Sequence, residues 1–114
     1  MAKLKTISWI LPCFNEEEVI SHTLDQILDV ANTVDAYTFE VICIDDGSID
    51  KTRSIIKSYL SRDSRVKLIG LSRNFGHQFA VQSGIDFSRG DAVILIDSDL
   101  QDPPQLACQM IELW

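Results

Sequence analysis

The chain is 114 residues long, 46% hydrophobic and 24% charged, with a formal net charge of −7. That length predicts a single domain and that composition supports a real core. The acidic balance excludes a nucleic-acid surface, which needs a basic patch. No run approaches the roughly 18 apolar residues of a membrane span, and the N-terminus carries no signal-peptide core.

Residues 6–11 are apolar and β-branched and read as a first strand, closed by Pro12. Asn15 is then expected to open a helix, with Glu18 three residues on as in a capping box. Its apolar stripe runs Ile20, Leu24, Ile27, Leu28, Ala31 at helical period. Residues 39–44 make a second strand ending in Asp45-Asp46-Gly47-Ser48, and a helix over about 50–59 should bury Ile55, Ile56, Tyr59 and Leu60.

A third strand over 66–71 leads into Ser72-Arg73-Asn74-Phe75-Gly76-His77. A third helix over about 78–87 is expected to end at Gly90 as its C-cap. The fourth strand, 91–96, contains the unbroken apolar run Ala92 to Ile96, which predicts burial on both faces. Asp102 can cap a last helix with Pro103 at its first position. That helix is still apolar and periodic at Trp114, so the chain reads as a piece of a longer domain.

The strand–helix alternation predicts an α/β fold, a parallel Rossmann-like sheet with helices on both faces and right-handed crossovers. Cys13 and Cys43 lie in apolar runs and read as small core residues of a reducing compartment, with Cys108 an odd thiol. The basic residues gathered between Lys51 and Arg73 read as a solvated face. Leu106, Met110, Leu113 and Trp114 are expected to lack part of their cover and to drive self-association.

Chemistry is expected where strands end, because open α/β sheets bind ligands beyond the carboxyl ends of their strands. Asp97 and Asp99, spaced i, i+2 after the fourth strand, can converge on Mg²⁺ or Mn²⁺, which prefer oxygen ligands shared with phosphates. Asp45 and Asp46 end the second strand beside Gly47, where a carboxylate could accept a hydrogen bond from a base or ribose. The same residues also serve as a turn and helix cap. Arg73 offers a bidentate fork to a diphosphate. Pro12 and its neighbours could floor a base, and His77 could be a cap or a phosphate contact, the structural role being favoured for a lone histidine.

Four strand-end segments carry a resemblance. These are Pro12-Cys13-Phe14-Asn15-Glu16-Glu17, Asp45-Asp46-Gly47-Ser48-Ile49-Asp50-Lys51-Thr52, Ser72-Arg73-Asn74-Phe75-Gly76, and Gly90-Asp91 with Asp97-Ser98-Asp99-Leu100-Gln101-Asp102-Pro103-Pro104. In order and spacing they resemble the inverting family 2 glycosyltransferases, most of all the polyprenyl-phosphate branch of bactoprenol glucosyltransferase and dolichyl-phosphate mannose synthase types. The resemblance implies the N-terminal, nucleotide-sugar-binding half of a GT-A fold over residues 1–114. It assigns the donor to Pro12, Asn15, Glu17, Asp45, Asp46, Arg73, Asp97 and Ser98, and Mg²⁺ or Mn²⁺ to Asp97 and Asp99 as a DXD motif.

The resemblance further implies transfer of a hexose from a nucleotide-diphosphate sugar, a UDP-sugar by preference, to a polyprenyl phosphate. It places the parent protein on the cytoplasmic side of a membrane, and this piece alone would be soluble and inactive, with the catalytic base beyond Trp114. The competing reading is a receiver-type domain that binds Mg²⁺ around a phosphorylatable Asp. A dinucleotide-binding Rossmann domain is opposed by the lack of GxGxxG after the first strand.

Overall fold

The computed structural model describes residues 5–96. In chain order it contains β1 (Thr6–Cys13), α1 (Ile20–Thr33), β2 (Thr38–Asp45), α2 (Thr52–Leu60), β3 (Val66–Gly70), α3 (His77–Phe87) and β4 (Ala92–Leu95). The four strands form one parallel sheet in the order β3-β2-β1-β4. A receiver-type sheet would place β3 beside β1 on the side away from β2; here β3 lies outside β2, as in the dinucleotide-binding order. The receiver reading therefore loses its topological support.

β1 and β2 are central strands and carry the continuous burial expected of a sheet covered on both faces. Alternation sorts their side chains. Ile7, Trp9, Leu11 and Cys13 of β1 join Phe39, Val41 and Cys43 of β2 under the apolar stripes of α1 and α2. On the other face Ile10, Ile42 and Ile44 pack against Ala80 of α3. The strand order reverses between β1 and β4, so the crevice that such sheets use for ligands lies at the carboxyl ends of these two strands.

Three local expectations are corrected. First, α1 begins at Ile20 with no side-chain cap. Asn15 instead adopts φ +52°, and the N–H groups of Val19 and Ile20 both donate to the Glu16 carbonyl in a tight turn. Asn is among the residues that tolerate this left-handed region. The run Glu16 to Glu18 thus precedes the helix rather than forming its first turn.

Second, α3 ends at Ser88 in an extended conformation, and Gly90 is not a left-handed cap. Gly90 is required for a different reason: a Cβ there would lie 2.3 Å from Ser8 Oγ and 2.7 Å from Ser8 N. The chain passes directly over β1 at that point, and the Gly90 N–H donates to Ser8 Oγ at 2.8 Å.

Third, β4 is not buried on both faces. Val93 and Leu95 are 43% and 46% exposed. Among the described residues β4 is the outermost strand on its side of the sheet, and α3 packs over β1 and β2 instead. Cys13 and Cys43 are buried free thiols, as expected of core residues. Leu60 is exposed rather than buried, and Ile55 is only partly covered. The last-helix residues, Cys108 among them, lie outside the described residues.

Candidate functional site

Among the described residues three loops build the carboxyl end of the sheet, and the second of them holds the other two. The Asp46 N–H donates to the Cys13 carbonyl at 2.8 Å, and the Leu71 N–H donates to the Asp45 carbonyl at 2.9 Å, so the strand ends are in register where the loops begin. The loop after β2 then turns at Gly47, whose φ is +77°. A Cβ there would lie 2.3 Å from the Arg73 carbonyl carbon and 2.4 Å from Asn74 N. Only glycine lets these two loops touch.

Asp45 is fully buried. One carboxylate oxygen accepts Arg53 Nε in an ion pair, and the other accepts the Ser48 N–H at 3.3 Å. Arg53 reaches up from α2, and its Nη2 also donates to the Leu71 carbonyl at 2.7 Å. Asp46 points the other way. Its carboxylate accepts the Phe75 N–H at 2.8 Å, the Gly76 N–H at 3.1 Å and Asn74 Nδ2 at 3.3 Å. A carboxylate has about four lone-pair positions, so Asp46 keeps one acceptor position while ordering the loop after β3.

The rest of the motif clamps the loop after β1. Ser48 Oγ accepts the Asn15 N–H at 2.9 Å, and Asn15 Oδ1 accepts the Ile49 N–H at 3.0 Å. Thr52 Oγ1 accepts the Glu16 N–H at 2.8 Å, and Asp50 accepts the Glu17 N–H at 3.2 Å. Asp50 also accepts the Thr52 N–H at 2.9 Å, as a helix cap would. Burial pushes the Asp50 carboxyl up, but the hydrogen bond from the Thr52 hydroxyl, with those from the Thr52 and Glu17 N–H groups, outweighs it and holds it below its ordinary value. Asp45, Asp46, Ser48, Asp50 and Thr52 are thus one polar hub that fixes the rim of the crevice.

The predicted donor residues fall as follows. Asn15, Glu17, Asp45, Asp46 and Arg73 are gathered on the three clamped loops. Pro12 is buried inside β1 opposite Ile44. The exposed apolar residue of the first loop is Phe14, which the motif reading did not single out. Arg73 stacks over the Phe75 ring, 4.7 Å from its centroid, and Phe75 stacks on Phe79 at 4.9 Å. His77 is the first residue of α3 and forms no side-chain cap there. Sequence reading missed Arg53, because a cation on a helix shows no link to an acid eight positions away until the strand end brings them together.

Asp97, Ser98 and Asp99 lie outside the described residues. Among the described residues no three His, Cys, Asp or Glu side chains converge as a metal would need. The acids at the end of β2 are engaged by Arg53 and by loop N–H groups. β4 ends beside β1, with the Ile96 N–H donating to the Ile10 carbonyl at 3.1 Å.

Comparison with known proteins accounts for this arrangement. The sequence profile of "Glycosyl transferase family 2" matches residues 8–114. The bactoprenol glucosyl transferase of Shigella phage SfX is 41% identical over 108 residues, covering 95% of this chain and 35% of that protein. The fold matches that of the mannosyltransferase PcManGT of Pyrobaculum calidifontis, solved with GDP-Man and Mn²⁺. The TM-score is 0.77 at 22% identity, over 95% of this chain and 32% of that one. It also matches TarS 1-349 of S. aureus in complex with UDP-GlcNAc, with a TM-score of 0.72 at 28% identity, over 82% of this chain and 26% of that one. The chain spans about a third of the length of the curated relatives it matches. Its parallel sheet, its clamped strand-end loops and a profile match over nearly its whole length make this chain a member of glycosyl transferase family 2.

Proposed function

We propose that the chain forms the donor-binding half of an inverting, metal-dependent glycosyltransferase that moves a hexose from a UDP-sugar to a polyprenyl phosphate. The observation that carries this reading is the polar hub of Asp45 to Thr52. It orders the loops carrying Phe14, Asn15, Glu17, Arg73 and Phe75 around the crevice end of a family 2 sheet. The similarity to a bactoprenol glucosyl transferase supports the lipid-linked acceptor, and the TarS complex supports a uridine donor.

In this reading the remaining acceptor position of Asp46 takes the imide N–H of uracil or a ribose hydroxyl. Asp45 keeps the strand end rigid through Arg53. The guanidinium of Arg73, with the Phe75 ring beneath it, pairs with the diphosphate. Asn15 and Glu17, held by Ser48 and Asp50, border the nucleoside, with Pro12 beneath. Asp97 and Asp99 would hold Mg²⁺ or Mn²⁺, and Ser98 would contact the donor. When bound, the metal neutralises charge on the departing nucleoside diphosphate.

Inversion follows from a single in-line displacement. The lipid phosphate oxygen forms the new bond to the anomeric carbon as the bond to the diphosphate oxygen breaks. Such a phosphate is already anionic. Acceptor binding and any base belong to the remainder of a protein as long as the relatives, placed on the cytoplasmic side of a membrane. Among the described residues no helix is long and apolar enough to cross one. The test is a transfer assay with that longer protein, UDP-hexose and polyprenyl phosphate. A lipid-linked hexose of inverted anomeric configuration, formed only with a divalent cation, supports the reading. A product of retained configuration, or free sugar alone, refutes it.

A further inference from the structure

A polar cluster holds the turn between α3 and β4 at the amino ends of the strands, opposite the end that carries the proposed donor site. Three consecutive N–H groups there each find a different acceptor. Arg89 donates to Glu40 Oε2 at 2.7 Å, Gly90 to Ser8 Oγ at 2.8 Å and Asp91 to the Thr6 carbonyl at 2.6 Å. The Thr6 N–H in turn donates to Asp91 Oδ2 at 2.9 Å. Ser8 and Glu40 are cross-strand partners in β1 and β2, and both are buried. The Ser8 hydroxyl donates to the Glu40 carboxylate, whose other oxygen accepts Lys67 Nζ at 2.7 Å.

What this cluster fixes is register. Among the described residues β4 is four residues long and pairs with β1 alone, from Ala92 beside Ile7 to Leu95 beside Ile10. Register is ordinarily pinned by alternation, because a slip of one residue sends the apolar set to the solvent face. β4 lacks that safeguard. Every residue from Ala92 to Ile96 is apolar, and Val93 and Leu95 are already nearly half exposed. A slipped β4 would present the sheet with an equally apolar face. The four hydrogen bonds at residues 89–91 admit one alignment only. Gly90 supports it, since a Cβ there would meet Ser8 Oγ at 2.3 Å.

Asp97 follows Ile96 directly, so the register of β4 decides where the segment carrying Asp97 and Asp99 begins. A one-residue slip moves that point by about 3.3 Å, more than the roughly 2.1 Å length of a Mg²⁺–oxygen bond. We infer that Ser8, Glu40 and Asp91 are positioning residues: by fixing β4 on β1 at its amino end, they set the starting point of the metal-binding acids at the other end. This role depends on the metal binding proposed for Asp97 and Asp99. It also gives the Gly90-Asp91 pair a function that donor contacts do not supply.

Cross-strand NMR contacts between Trp9 and Ile94 and between Ile10 and Leu95 read the register of the chain, and UDP calorimetry with and without Mn²⁺ reads the acids. Ser8→Ala combined with Asp91→Ala should weaken or shift those contacts. It should also reduce the gain in UDP affinity from Mn²⁺ roughly tenfold or more, while leaving the metal-free affinity in place. Asp91→Ala alone should lose part of each. Asp91→Asn, whose amide oxygen can still accept the Thr6 N–H, should keep both. Asp91 is exposed, so this pair of single variants decides the matter if the double variant does not fold. Val30→Ala, a core truncation in α1, should lower stability and keep the gain. Unaltered contacts in the double variant, a shifted β4 that keeps the full gain, an equal loss in Val30→Ala, or an Asp91→Asn that behaves as Asp91→Ala would overturn the inference. A parent chain with no Mn²⁺ response would instead refute the metal reading, and the contacts would still decide whether Ser8 and Asp91 fix the register.

Discussion

Arg53 joins two strand ends at once: its Nε pairs with the fully buried Asp45 carboxylate, while its Nη2 donates to the Leu71 carbonyl at 2.7 Å. One guanidinium thereby locks the end of β2 to the exit of β3. Removing it strands a buried charge, a change that typically costs roughly 3 kcal/mol or more. Arg53→Met is expected to lower urea-unfolding stability by about that amount. Asp45→Asn together with Arg53→Met should recover part of the loss, because no charge is then left buried. Additive losses in the double-mutant cycle would refute the coupling.

Asp46 orders the loop after β3 through two backbone N–H groups and one side-chain amide. Asp46→Ala should therefore increase hydrogen exchange at Phe75 and Gly76 well beyond any change at Val41 in the core. In the longer protein the same change should weaken UDP-sugar binding about tenfold to a hundredfold, the loss of a charge-assisted hydrogen bond. The preference for Mn²⁺ or Mg²⁺ should remain. Unchanged exchange at both amides would show that the loop stands without Asp46.

The two described cysteines make a prediction at high pH. Burial pushes the Cys43 thiol up to about 12. Burial, then the neighbouring Cys43, Asp45 and Glu16, raise Cys13 well above its ordinary value. Unfolded thiols ionise near 9, so the folded state binds these protons more tightly. The stability they contribute is complete below about pH 9 and is lost as the pH rises toward 12. Cys13→Ala with Cys43→Ala should flatten the alkaline limb of a stability–pH curve. A thiol reagent at neutral pH should leave both unmodified until the chain unfolds, and rapid labelling of either in the folded chain would contradict their burial.

Glu40 makes the opposite prediction at low pH. Burial alone would raise its carboxyl, but hydrogen bonds from Lys67, Ser8 and the Arg89 N–H outweigh it, and the net value lies below the ordinary 4.5. The stability it contributes is present above that value and is lost as the pH falls through the lower folded value. Glu40→Gln is expected to cost about 1–3 kcal/mol at neutral pH and to reduce the steepness of acid unfolding. An unaltered acid limb would rule out this contribution.

The element order was legible from apolar runs, because a buried parallel strand and an amphipathic helix leave different local periods. The uses of individual polar residues were not. Asn15 has the chemistry of a helix cap, yet its partners Ser48 and Ile49 lie 33 and 34 positions away. Asp46 has the chemistry of a ligand contact, yet its partners Phe75 and Gly76 lie 29 and 30 positions away. Side-chain chemistry names what a residue can bind, and only topology decides which group arrives. Val93 and Leu95 were misjudged for a related reason: an apolar run reports a potential for burial, not the neighbours that supply it.

The most direct test of the donor-binding reading is calorimetric titration of the chain with UDP, with and without Mn²⁺. The account predicts that Mn²⁺ strengthens UDP binding, and that Asp97→Asn combined with Asp99→Asn abolishes that gain while leaving the metal-free affinity in place. A double variant that keeps the full response to Mn²⁺, or a folded chain that binds no UDP under either condition, would contradict it.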